Sequence, residues 1–183
     1  PFVIDAESHT LQYDWTLWFL HRPPGTRITD YEQATKAVKT FSTAQEFWEL
    51  YSYLVRPSEL PYTSEYHVFK RGVRPIWEDP TNINGGKWIF RLKKAYSSQA
   101  WEAILIALVG GGEGDFGGEP LGDEVVGAVI SVRRGNDDII SVWNKSGSNG
   151  SVNLKIRDAI RRVIGLPQFV AVEYKIHSES MRE

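Results

Sequence analysis

The sequence predicts an α+β fold, a largely antiparallel β-sheet with helices packed on one face, and three observations point to it. Six short apolar or aromatic runs read as strands, three segments carry helical spacing, and the connections between strands are too short for regular parallel crossovers. At 183 residues, 42% of them hydrophobic, the chain suits one folded domain over 1–183 with a substantial core.

The predicted strands are Tyr13–Leu20, Tyr66–Phe69, Lys87–Lys94, Val125–Arg133, Ile139–Trp143 and Val170–Ile176. The first helix opens on a capping box, Thr43-x-x-Glu46, and runs to Leu54. A second runs from Ser98 to Val109, and a third from Val152 to Ile164, where Gly165 and Pro167 stop it. Residues 1–12 form an N-terminal segment. "GGGEGDFGGEPLGDE" (110–124) is a mobile Gly-rich acidic loop without a Gly-Lys-Ser/Thr ending, so it is no phosphate cradle.

Two helical residues do not belong to the core stripes. Phe47, Leu50, Tyr51 and Leu54 form one stripe, and Trp48 lies roughly 100° from it at 3.6 residues per turn. Trp101, Ile104, Leu105 and Leu108 form the other, and Ile106 points nearly the opposite way. Apolar side chains on that face need a covering loop or a partner protein, and the pattern fits both equally.

Composition removes several functions. With no cysteine, disulfides, thiolate catalysis and cysteine-held metals are excluded. Four histidines without ligand spacing leave no expected metal or cofactor. A net charge of −2 argues against nonspecific nucleic-acid binding, although local positive charge would still serve a nucleic-acid ligand. The sequons at Asn144 and Asn149 read as chance, because neither a signal peptide nor a membrane-length apolar run is present. The start at Pro1, without methionine, points to a trimmed chain.

The stretch "RPIWEDPTNINGGKWIFRLKK" (74–94) concentrates the chemistry. Alternation along its strand puts Trp88, Phe90 and Leu92 in the core and Lys87, Arg91 and Lys93 on the other face. Together with Arg133-Arg134, these cations suit a phosphate chain as well as they suit solvated surface. The Trp77 indole attracts a flat or cationic ring, and the Glu78 carboxylate suits a ring edge with two N–H donors, such as guanine. Glu78 and Asp79 make a poor catalytic pair, with no nucleophile and base nearby. The chain therefore reads as a binding protein and not as an enzyme.

In the same stretch and around it, the chain resembles the cap-binding translation initiation factor 4E family. The shared motifs are "HTLQYDWTLWF" (9–19), "FWELYSYL" (47–54), "HVFKRGVRPIWED" (67–79), "NGGKWIFRLKK" (84–94), "VVGAVISVR" (125–133), "IISVWNK" (139–145) and "VEYKIHSES" (172–180). The resemblance implies a cupped sheet with three helices on its convex face and a 7-methylguanosine cap of mRNA in the cup. Carried over by position, Tyr31 and Trp77 would stack on the base, Glu78 would read its edge, Trp143 would sit near the N7 methyl, and Lys87 and Arg133 would hold phosphates. His9, Leu11, Ala44, Trp48, Ile106 and Gly110 would bind a Tyr-x-x-x-x-Leu-Φ helix of an initiation scaffold or a repressor.

Tyrosine at position 31, where the family's best-known members carry tryptophan, is similar to the second class of 4E-homologous proteins, often tied to repression; that class commonly replaces the tryptophan kept here as Trp15. Asp137-Asp138 stand where a phosphate-binding lysine is expected, with Arg134 as a substitute, and the family's basic C-terminal loop is missing or cut short at Glu183. The implied protein is a cytoplasmic monomer, with the nucleus as a second location, that controls translational initiation or repression. A generic single-stranded RNA module and a partner scaffold with a weak cap pocket are the rival readings. Because tyrosine offers less stacking area, Tyr31→Trp should tighten cap binding in a fluorescence titration; unchanged or weaker binding would refute that role for Tyr31.

Overall fold

The computed structural model describes residues 8–178; residues 1–7 of the predicted N-terminal segment and the end at Glu183 lie outside them. Seven strands form one antiparallel curved sheet. They are β1 (Thr10–His21), β2 (Lys36–Thr43), β3 (Ser64–Lys70), β4 (Gly86–Lys93), β5 (Val125–Val132), β6 (Asp137–Asn144) and β7 (Val172–Ile176), in the order β2-β1-β3-β5-β6-β4-β7. The three long helices α2 (Ala44–Tyr53), α3 (Lys94–Val109) and α4 (Gly150–Ile164) cover the convex face. A single turn, α1 (Tyr31–Ala34), precedes β2.

Six strands and three helices coincide with those expected from the sequence, within a few residues at their ends. Three elements do not: β2, α1 and a one-turn 3-10 helix at Pro57–Glu59 fall in stretches where no element was predicted. β2 is the edge strand, and its pattern is almost wholly exposed, so "KAVKTFST" carries no clean alternation of apolar and polar residues. α1 is four residues long, held by its Asp30 cap, whose Oδ1 accepts from Gln33 N at 2.9 Å.

Each long helix starts and stops for a legible reason. Thr43 Oγ1 accepts from Glu46 N at 3.1 Å, and Glu46 Oε2 accepts from Thr43 N at 3.2 Å, closing the predicted capping box. α4 begins at the Asn149 cap and ends at Gly165, whose φ of 62° is the left-handed closure that glycine adopts without strain. α3 follows β4 without a loop. Its first turn is held by the fully buried Asp138, which pairs with Lys94 and accepts from Ser97 Oγ at 2.7 Å.

The core lies between sheet and helices. Trp15, Leu17, Tyr66, Val68, Phe90, Ile130, Ile140 and Val142 point into it from the strands, and Phe47, Trp101, Ile104, Leu108, Ile156 and Ile160 meet them from the helices. The Gly-rich segment expected to be mobile is tied to this core at two points, with Phe116 and Leu121 buried and Gly117 N donating to Ala107 O at 3.1 Å. A Cβ on Gly117 would lie 2.2 Å from Leu108 O, so the chain passes α3 only as glycine. Asn144 is buried in a polar cluster with Asn153 and Tyr174, and Asn149 serves as the α4 cap, so both sequon asparagines have structural work. Among the described residues, no helix is long and apolar enough to cross a membrane.

Candidate functional site

The concave face of the sheet holds a cavity of about 980 Å³. Alternation along the strands aims one residue in two into it: Glu65 and His67 from β3, Lys87, Ile89 and Arg91 from β4, Val129 and Ser131 from β5, Ile139, Ser141 and Trp143 from β6, and Glu173 and Lys175 from β7. Two loops form its rim. One brings Tyr31, and the other brings Trp77 and Glu78. All six residues singled out for cap binding, Tyr31, Trp77, Glu78, Lys87, Arg133 and Trp143, therefore line one space.

The two rims are joined. Arg74 Nη1 donates to Glu32 Oε1 at 2.6 Å on the Tyr31 side, while Arg74 Nε approaches Asp79 Oδ2 at 3.3 Å on the Trp77 side. Asp79 is buried and also accepts from the backbone N–H groups of Arg74 and Thr81 at 3.1 and 2.9 Å. It is a loop anchor, and its neighbour Glu78 projects alone, exposed and without an ion-pair partner among the described residues. The Trp77 and Tyr31 rings are 36% and 41% exposed, as ligand-facing aromatics must be.

The floor is a polar network built on Glu65. Its carboxylate accepts from the Tyr31 hydroxyl and from Ser131 Oγ at 2.8 Å, pairs with Arg133 Nη2 at 3.3 Å, and lies 3.3 Å from His67 Nε2. Burial alone would raise its pKa, but His67 and the hydroxyls of Tyr31 and Ser131 outweigh burial and hold it at about 2. Its contribution to stability is thus complete above the ordinary value of 4.5 and is lost as the pH falls through about 2. Burial, then the adjacent carboxylate, pushes the Tyr31 phenol well above its usual range, so the hydroxyl stays a donor.

Trp143 forms the far end of the floor. Its indole donates to Ser141 Oγ at 3.1 Å, meets Phe69 edge-on at 5.3 Å and lies 4.4 Å from the His177 ring. Lys87 Nζ stands 5.1 Å from the Trp143 ring centre. Burial, and then Lys87, depress the His177 pKa to about 4, so this imidazole adds no charge beside the indole at neutral pH. Asp137 and Asp138, expected from the sequence to intrude on a phosphate site, are committed elsewhere. Asp137 pairs with Lys93 at 2.8 Å, and Asp138 holds α3 while accepting from Arg133 N at 3.1 Å.

The convex side places the second predicted set. Trp48 and Ile106 are 49% and 43% exposed. α2 is tied to α3 by Tyr51 OH donating to Glu102 Oε2 at 2.7 Å. The chain before β1 is pinned to α2, with His9 N donating to Gln45 Oε1 at 3.1 Å and His9 O accepting from Ala44 N at 2.9 Å. Leu11 is partly buried against the core, and Gly110 closes α3 by donating to Ile106 O at 2.8 Å.

Sequence reasoning missed Glu65, His67, Arg74 and Lys175. The signal for the first two was present: in "SEYHVF", polar residues alternate with apolar ones, but the predicted strand began at Tyr66 and cut Glu65 away. Nothing local marks Arg74, whose role rests on a partner 42 residues away.

Comparisons with known proteins agree with this geometry. The family model described as eukaryotic initiation factor 4E matches residues 10–183. The chain is 44% identical over 180 residues, 98% of its length and 75% of the relative's, to eukaryotic translation initiation factor NCBP of Triticum aestivum. It superimposes with a TM-score of 0.87, at 30% identity and over 97% of each chain, on C. elegans eIF4E-3 in complex with the 4E-binding protein Mextli and a cap analogue. Ascaris suum eIF4E-3 with an m7G cap gives 0.84 at 32% identity, over 96% of this chain and 94% of the other.

If Glu65 is the joint between wall and floor, removing either end of its contact with Tyr31 should matter, and the two losses should not add. Tyr31→Phe and Glu65→Ala should each weaken binding of 7-methyl-GTP, and the double variant should bind about as Glu65→Ala does. A hydrogen bond to a charged group is worth about 1.5–3 kcal/mol, so the coupling is within reach of a double-mutant cycle. Strictly additive losses would show that the contact does not hold the ring.

Proposed function

The chain belongs to the eukaryotic initiation factor 4E family, and we propose that it binds the 7-methylguanosine cap of mRNA in its concave cup and a helical regulatory protein on its convex face, controlling translation. The observation that carries the first half is the convergence in one cavity of two exposed rings, the unpaired Glu78 carboxylate and the cations Lys87 and Arg133. The base lies between Tyr31 and Trp77. Glu78 accepts from N1–H and the exocyclic amine of guanine, a pairing that adenine cannot offer. Methylation at N7 makes the base a cation, which gains about 0.5–2 kcal/mol over an aromatic face. The N7 methyl points toward Trp143, and Lys87 and Arg133 take phosphates.

On the convex face, an incoming amphipathic helix buries the indole of Trp48 and the side chain of Ile106, with His9, Leu11, Ala44 and Gly110 at its margins. Its chemistry is that of a Tyr-x-x-x-x-Leu-Φ segment, whose apolar residues recur on one helical face. No step of this reading makes or breaks a covalent bond, and it needs no metal or cofactor. We infer a monomer that acts in the cytoplasm, with the nucleus as a second location.

Tryptophan fluorescence titrated with 7-methyl-GTP and, in parallel, with GTP tests the cup. Saturable quenching should occur with the methylated nucleotide and at least several-fold more weakly with GTP, and Trp77→Ala should abolish it; equal responses would mean generic nucleotide or RNA binding. For the convex face, Trp48→Ala should remove binding of a Tyr-x-x-x-x-Leu-Φ peptide by about 3 kcal/mol, the scale of a hot-spot residue, while leaving 7-methyl-GTP affinity intact. Parallel loss of both would make Trp48 a structural residue.

A further inference from the structure

The register of the sheet sets Lys87 on β4 directly opposite Lys175 on the edge strand β7, and both side chains line the cup. Like charges directly opposite one another on antiparallel strands destabilise a sheet. Neither ammonium has an acidic partner within 4 Å among the described residues. The carboxylates nearby do not relieve the pair. Glu65 is occupied by Arg133, Tyr31 and Ser131, and Glu173, opposite Ile89 one step along the face, makes no ion pair. Burial depresses the Lys87 pKa; Glu65 offsets this in part, and Lys175 and Arg133 press it lower.

The turn between β5 and β6 makes this pair more telling. Past its Arg133-Arg134 pair stand Asp137 and Asp138, both bound to lysines of the β4–α3 junction, and Arg134 is exposed and does not line the cup. Arg133 is shared with Glu65. Positive charge that lines the cup and is not shared with a carboxylate is therefore concentrated on its β4–β7 side.

We propose that Lys175 is a phosphate-binding residue that forms, with Lys87, a two-ammonium seat for the outer phosphates of the capped nucleotide. A polyphosphate brought between the two ammoniums replaces their mutual repulsion with two charge-assisted contacts. The unfavourable register pair is then a feature of the unliganded cup, in keeping with local rules broken at binding sites. This seat rests on the cap reading above and specifies which phosphates it grips.

The test is a phosphate series, 7-methyl-GMP, -GDP and -GTP, titrated against the wild-type chain, Lys175→Gln and Lys175→Arg. Wild-type affinity should climb along the series. Lys175→Gln should leave 7-methyl-GMP unchanged and weaken 7-methyl-GTP about tenfold, the loss of one charge-assisted contact, with a shallower salt dependence. Lys175→Arg should restore most of that affinity. An unchanged ratio of 7-methyl-GTP to 7-methyl-GMP affinity in Lys175→Gln would overturn the seat, as would an equal loss across all three ligands. Absence of any 7-methyl-GMP binding by the wild type would instead remove the cap reading, and the seat with it.

Discussion

The Glu65 carboxylate is the joint on which the cup depends. A buried carboxylate is costly unless its oxygens are filled, and here a phenol, a hydroxyl, a guanidinium and an imidazole fill them. Two of those partners, Tyr31 and Arg133, line the cup and are the ones we propose as a stacking wall and a phosphate grip. One anion thus sets the position of a ring on a loop and a cation at the end of a strand. Tyrosine at position 31 has a consequence beyond its smaller area: its hydroxyl gives the ring a fixed attachment to the sheet floor.

The cup is assembled from parts of unequal rigidity. Lys87, Trp143, Ser131 and Glu65 stand on central strands paired on both sides, so their spacing is set by the sheet. Tyr31 opens the single-turn helix α1, and Trp77 and Glu78 stand on a loop. Their relation to one another runs through Arg74, which reaches Glu32 on one rim and Asp79 on the other. The Glu32 contact is exposed and weak by itself, whereas Asp79 is buried and also holds two backbone donors. The Trp77 loop is therefore the firm rim, and the Tyr31 loop is the one a ligand can adjust.

Legibility in the sequence followed the range of the interactions. Apolar periodicity disclosed six of the seven strands and all three long helices, because each buries one face against a common core. β2, one of the two edge strands, escaped because Phe41 is the one buried residue among its eight, which leaves no periodic apolar face. Trp48 and Ile106 stood out because they broke helical periodicity, and Lys87 because it alternated with core residues. The identity of Tyr31 as a site residue came only from family resemblance; nothing in "TDYEQATKAVKTF" marks it. Glu65 was legible in the alternation of "SEYHVF" but fell outside the predicted strand, whereas Arg74 and Lys175 could not be read locally, for their meaning lies in residues distant in sequence.

The same periodicity of two explains how one sheet supports two surfaces without conflict. Along β3, Glu65 and His67 serve the cup while Tyr66 and Val68 serve the core beneath the helices. A substitution on one face changes ligand chemistry without entering the helix packing, and the reverse holds for the helices. The exception is Asp138. Its buried carboxylate fixes the first turn of α3 through Lys94 and Ser97 and also accepts from the Arg133 backbone. It is there that Arg133 and the helix bearing Ile106 share a single anchor. Of the acidic pair that stands where a phosphate-binding lysine was expected, Asp138 holds the Arg133 backbone in register and Asp137 pairs with Lys93, while in the proposed seat the remaining charge comes from the opposite edge.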